Sequence, residues 1–230
     1  MQVGVVLAAA RLRGIRRATA VLSPSCAMML IYGSGRQAPV RTGDRVIPAL
    51  DPATGWLPLG RHHCSQAEIE TAFVSATAFA TSSTRTAIWR DWQSGLQLLQ
   101  TAVTVHAAWV GGSFTTAKPD PEDLDVTFLI NGEDMRHRSA GDLKIITIFA
   151  TAGQAKARLG LNLDSYVVPW ECVPQPRPRM SIVHDGYFWA RGHWDDWWQR
   201  NRLSSKTSPP TPADTLPRRG YLEVALSDYP

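Results

Sequence analysis

VHAAWVGGSFTTAKPDPEDLDVTFLI, residues 105–130, is the stretch whose reading decides the fold. Val103 to Val110 is apolar and β-branched enough for a buried strand, and it halts at Gly111-Gly112. A second strand is expected over Asp123 to Ile130. Side chains two apart on a strand point to one side, with Cα atoms about 6–7 Å apart. Asp123 and Asp125 would therefore share a face, while Leu124 and Val126 point the other way. Between the two strands, glycine lets backbone approach a ligand closely, and consecutive N–H groups together with the Ser113 hydroxyl can cradle phosphate oxygens. A pair of carboxylates suits a hard divalent cation that also takes phosphate oxygens.

Outward from this segment, helix and strand signals alternate. Upstream, Ser65 and Glu68 fit a capping box, in which each side chain satisfies the other's end of the helix, and this predicts a helix over Gln66 to Thr77. Thr84 to Leu99 is a second amphipathic stretch, with Ile88, Trp92, Leu96 and Leu99 on one face. Downstream, Gly141 to Leu159 has helical spacing, and Leu161 to Val168 returns to strand character before Pro169. The alternation predicts an α/β or α+β protein with a mixed sheet flanked by helices.

The ends of the chain read differently. Residues 1–43 hold six arginines and no acid; taking these six from the 24 basic residues leaves 18 against 20 acids. The basic excess thus belongs to this extension, expected to be disordered, and not to the part that carries the folding pattern. Asp44 to Cys64 is rich in proline and glycine and reads as turns with at most a short hairpin, and the His62-His63-Cys64 triplet as an exposed turn rather than a metal site. Past Pro174, PQPRPRM reads as an extended connector, the tryptophans at 189, 194, 197 and 198 require burial somewhere, Ser204 to Pro217 is a polar loop, and Arg218 onward is a last strand. The expected organisation is an extension (1–43), a core (44–175) and a Trp-rich segment packed on it (176–230).

Three cysteines in no C-x-x-C pattern indicate neither a disulfide framework nor zinc, which fits a reducing cytoplasm. No stretch reaches the roughly 18 apolar residues of a membrane helix, so no membrane partner is expected. A G-x-S-x-G elbow and a G-x-x-x-x-G-K-[ST] phosphate loop are both missing.

Gly112-Ser113 followed, after nine residues, by Asp123-Leu124-Asp125 resembles the signature of the nucleotidyltransferase superfamily. Over Val103 to Val168 the likeness is to small bacterial members, the minimal and abortive-infection or toxin–antitoxin transferases, and to an uncharacterised bacterial family near them, which WDDWWQR and PRRGYLEV also resemble. The resemblance implies a third carboxylate on a neighbouring strand, for which Asp164 in LNLDSYVV stands in the matching place. It implies that Asp123, Asp125 and Asp164 are catalytic and hold Mg2+ (or Mn2+), and that Gly112 and Ser113 bind the phosphates of a nucleoside triphosphate (NTP). Lys118 is a further phosphate-binding candidate, and Arg191, Arg200, Arg218 and Arg219 are candidates for phosphate or acceptor. The implied reaction moves an NMP group to a hydroxyl of an unknown acceptor, whether tRNA, protein or small molecule, in a toxin–antitoxin or phage-defence setting with a partner protein. The alternative is an inactive fold that binds or regulates. One departure from the pattern is Phe114 to Lys118, where the family has a small residue a few positions after the serine.

Overall fold

The computed structural model describes residues 47–204 and 207–227; the expected extension at residues 1–43 lies outside them. Among the described residues the strands form one mixed sheet in the order β1-β5-β2-β3-β4. These strands are β1 (Arg61–Cys64), β2 (Val105–Gly111), β3 (Leu124–Asn131), β4 (Leu163–Trp170) and β5 (Tyr221–Ala225). β2 runs antiparallel to both β3 and β5, while β3 with β4 and β1 with β5 are parallel pairs. The α+β expectation holds.

Helices α1 (Gln66–Phe73), α2 (Arg85–Ala102), α3 (Gly132–Arg136), α4 (Ala140–Ala150) and α5 (Gln154–Leu159) join the first four strands. The predicted capping box is present: Ser65 Oγ accepts from the Glu68 N–H at 3.2 Å and Glu68 Oε2 accepts from the Ser65 N–H at 2.7 Å. α2 buries Ile88, Trp92, Leu96 and Leu99, so its apolar stripe is core as read. Trp92 stacks on Phe128 of β3 with ring centroids 5.5 Å apart, and Phe128 meets Phe149 of α4 edge-on. The alternate residues of β2 and β3 that point this way, Val110, Val126, Phe128 and Ile130 among them, complete the larger core.

Three expectations need correction. The helical stretch from 141 to 159 is two helices, because Thr151 turns extended and ends α4, and Gly153, left-handed at φ 70°, precedes α5. Pro169 does not stop the last of the first four strands, since β4 is the edge strand and lacks a neighbour that would need its N–H. The His62-His63-Cys64 triplet is a strand, held by parallel pairing with β5. The last strand expected from Arg218 onward is β5, which lies inside the sheet between β1 and β2.

The remaining helix, α6 (Ile182–Gln199), lies over the opposite sheet face. A smaller core of Ala107, Trp109, Leu129, Trp198 and Tyr221 forms there, with Tyr166 and Trp194 packed against it. Trp198 is anchored by its Nε1–H, which donates to Thr127 Oγ1 at 3.1 Å. Of the crowded tryptophans it is buried, whereas Trp189 and Trp197 stay exposed.

Candidate active site

The α6 face carries the carboxylates singled out above. Asp125 is the second residue of β3, and the sheet register sets it beside Gly111 on β2 and Asp164 on β4. Neighbours paired across a sheet point the same way, so the Asp125 and Asp164 side chains leave adjacent strands on one face. Asp123 sits one residue before β3 begins. Burial first, and then the charges of Asp123 and Asp164, push the Asp125 carboxyl up to about 6. The charges of both other acids are thus felt at Asp125.

The Gly-Ser bend closes over the same spot. Gly112 has φ 68°, and a Cβ built on it would fall 1.6 Å from Asp125 Oδ2, so only glycine fits here on two counts. The Ser113 N–H bonds to the Asp125 carboxylate and draws its pKa back down. Asp164 is held by two donors, the Tyr166 hydroxyl at 3.1 Å and the Gly153 N–H at 3.3 Å. Burial and the Asp164 charge push the Tyr166 phenol upward, keeping it protonated as the donor.

Two arginines complete the bend. Arg219, just ahead of β5, donates from Nη1 to the Gly112 carbonyl at 3.1 Å, and its charge lowers the Asp125 pKa. Arg219 is itself lowered by burial and supported by Asp125. Arg85, at the first turn of α2, is buried beneath the loop after Ser113. Its guanidinium donates to the carbonyls of Phe73, Phe114, Thr116, Lys118 and Pro119 at 2.6–3.2 Å and lies 3.8 Å over the Phe79 ring. This clamp explains the departure at Phe114 to Lys118: the loop is a series of turns rather than a helix, and Arg85 takes up the carbonyls that a helix would have paired internally. Burial brings Arg85 to about 10, so it stays charged at neutral pH.

Arg219 was among the candidate arginines, whereas Arg85 and Tyr166 were missed. An arginine at the start of an amphipathic helix gives no local signal of a carbonyl clamp 29 to 34 residues away. Lys118 is exposed, and its ammonium faces Glu122 at 4.0 Å. Arg191 lies by the Trp109 ring and bonds the Tyr187 hydroxyl, and Arg200 pairs with Asp196.

Among the described residues no group of three His, Cys, Asp or Glu side chains stands ready-made around a common point as a metal cage. Asp125 bonds the Ser113 N–H of the Gly-Ser bend, and Asp164 the Tyr166 hydroxyl and the Gly153 N–H. The donor chemistry itself, carboxylate oxygens beside a serine hydroxyl, is that taken by magnesium or manganese and not by softer metals.

A family model matches residues 48–225, which spans every strand and helix just described. The chain belongs to DUF6932, a family of unknown function. No curated protein and no solved structure matches it. The DUF6932 match begins at Pro48 and ends at Ala225, so it takes in β1 and β5 as well as the acidic centre.

Proposed function

We propose that the chain is a nucleotidyltransferase that uses magnesium or manganese to move an NMP group from a nucleoside triphosphate to a hydroxyl acceptor. The observation that carries this reading is the pairing of Asp125 with Asp164 on adjacent parallel strands, with the Gly112-Ser113 bend against the same carboxylate. Burial and the charges of Asp123 and Asp164 raise the Asp125 pKa despite Arg219, and a divalent cation would relieve that repulsion.

When bound, the metal would neutralise the triphosphate and lower the pKa of the acceptor hydroxyl. Asp123, Asp125 and Asp164 are the residues that would hold it. Gly112 and Ser113 would bind phosphate oxygens through backbone N–H groups and the serine hydroxyl, and the Ser113 N–H now spent on Asp125 becomes a phosphate donor once that carboxylate turns away. Arg219 sits where its guanidinium would offset charge on the departing phosphates. Asp164, half-buried on the edge strand and held by Tyr166 and Gly153, would take the acceptor proton. In the transfer, the acceptor oxygen bonds to the α-phosphorus, the bridge to the β-phosphorus breaks, and pyrophosphate leaves.

The test is incubation with magnesium or manganese and each labelled NTP, alongside Asp125→Asn. Labelled product or pyrophosphate from the wild type and not from the variant supports transfer. Equal signals from both would mean that the turnover does not come from this site, and none from either leaves a fold that binds or regulates; both results defeat the proposal.

A further inference from the structure

Helix α6 carries a column of rings on the side turned away from the sheet. Trp189, His193 and Trp197 recur every four residues, so they lie above one another along the helix. Trp189 and His193 are stacked at 5.1 Å with ring planes 10° apart, and His193 and Trp197 at 6.0 Å and 21°. The two tryptophans remain 60% and 48% exposed, an unusual state for residues that supply so much apolar area. Burial lowers the His193 pKa, which keeps the middle ring uncharged at neutral pH.

The column is joined to the acidic centre by ring contacts. His193 meets Trp194 edge-on at 5.1 Å, Trp194 lies 4.2 Å from Tyr166, and the Tyr166 hydroxyl donates to Asp164. From Trp189 to Gln199 the helix has no aliphatic side chain larger than alanine. It presents flat rings, with the Asp196 carboxylate beside them paired to Arg200, and exposed arginines stand at both ends, Arg177 and Arg179 before the helix and Arg202 after it.

We infer that this ring column is a stacking platform for single-stranded nucleic acid, whose hydroxyl-bearing end reaches Asp164 as the acceptor. The inference rests on the transferase reading for the word acceptor, but the platform stands on its own geometry. Exposed rings in sequence with flanking arginines suit unpaired bases, because every base offers a face to stack and every nucleotide a phosphate to pair. A duplex hides those faces and would gain little.

The full chain is titrated into fluorescein-labelled single-stranded RNA, single-stranded DNA and duplex DNA of the same mixed sequence, with anisotropy as the readout. Single strands are expected to bind more tightly than the duplex, and the preferred sugar identifies the acceptor class. Trp189→Ala with Trp197→Ala is expected to weaken binding roughly tenfold or more, given what base stacking contributes, while Trp189→Tyr with Trp197→Tyr retains most of it. Both are surface changes, and unchanged thermal stability of each variant checks that the fold is intact. The inference is overturned if no single strand binds, if the double alanine variant binds as well as the wild type, or if light scattering shows a wild-type dimer that this variant dissolves. The last outcome would mean that a second copy covers the rings. Ring-dependent oligonucleotide binding with no NMP incorporation into any acceptor upholds the platform and defeats the transferase reading; NMP incorporation into another acceptor, with no binding of any single strand, does the reverse.

Discussion

Asp125 of β3 and Asp164 of β4 are direct register partners, so two acids face one way from neighbouring parallel strands at the edge of the sheet. Two carboxylates are seldom set side by side for stability, since each disfavours the charge of the other. Burial first, and then the charges of Asp123 and Asp164, lift the Asp125 pKa to about 6.

Asp125→Asn should therefore stabilise the metal-free protein. The folded pKa of about 6 lies above the unfolded carboxyl value of 3.8, so the wild type is favoured while Asp125 is protonated and loses that contribution as pH rises from about 4 to 6. The gap between variant and wild type is expected to be small near pH 4 and to reach about 1–3 kcal/mol above pH 6. Urea unfolding at pH 4 and pH 8 measures it, and an unchanged or reversed gap at pH 8 would contradict the rise of the Asp125 pKa by burial and by the neighbouring acids.

Divalent metal should act on the same group with the opposite sign. Manganese with a triphosphate is expected to raise the melting temperature of the wild type at pH 8, by mass action on the folded state, and to do so less as the pH falls through about 6 and Asp125 takes up a proton. Asp125→Asn and Asp164→Asn should show little shift at either pH. A full shift in either variant would place the metal elsewhere.

Gly112→Ala should abolish transfer with a modest loss of stability. Its φ of 68° costs an L-residue roughly 1–2 kcal/mol, and the new methyl would occupy the place of Asp125 Oδ2. Circular dichroism and NMP incorporation separate the two effects; a variant as active as the wild type would show that the bend has no part in the site.

Arg85→Met should unfold the loop rather than alter the chemistry directly. Five main-chain carbonyls lose their donor, and with unsatisfied buried acceptors the expected loss is about 3 kcal/mol or more. Arg85→Lys keeps a charge but too few N–H groups in the right fork, so it should recover only part. Chemical denaturation gives both numbers, and near-wild-type stability of Arg85→Met would refute the clamp.

Local chemistry explains how much of this was legible in the chain. The Ser65–Glu68 box and the stripe Ile88, Trp92, Leu96 and Leu99 are short-range patterns, and both appear in place. The acidic trio was readable because Asp123 and Asp125 are two apart beside a strand, and Asp164 lies in an apolar run of its own. What failed depended on distant partners. His62-His63-Cys64 becomes a strand only because Tyr221 to Val224 arrives beside it from the far end of the chain. Arg85 and Tyr166 owe their roles to loops and strands brought to them by the fold. The exposed tryptophans ran against the expectation of burial because a helix with one face on the sheet has a second face to present.

Crystals soaked with manganese and a non-hydrolysable triphosphate analogue, read by anomalous diffraction at the manganese edge, put the central claim to its most direct test. The account predicts manganese density bounded by the carboxylates of Asp123, Asp125 and Asp164, with phosphate oxygens reaching the Gly112-Ser113 N–H groups. Manganese and triphosphate bound away from these residues, or no density between them at saturating ligand, would contradict it.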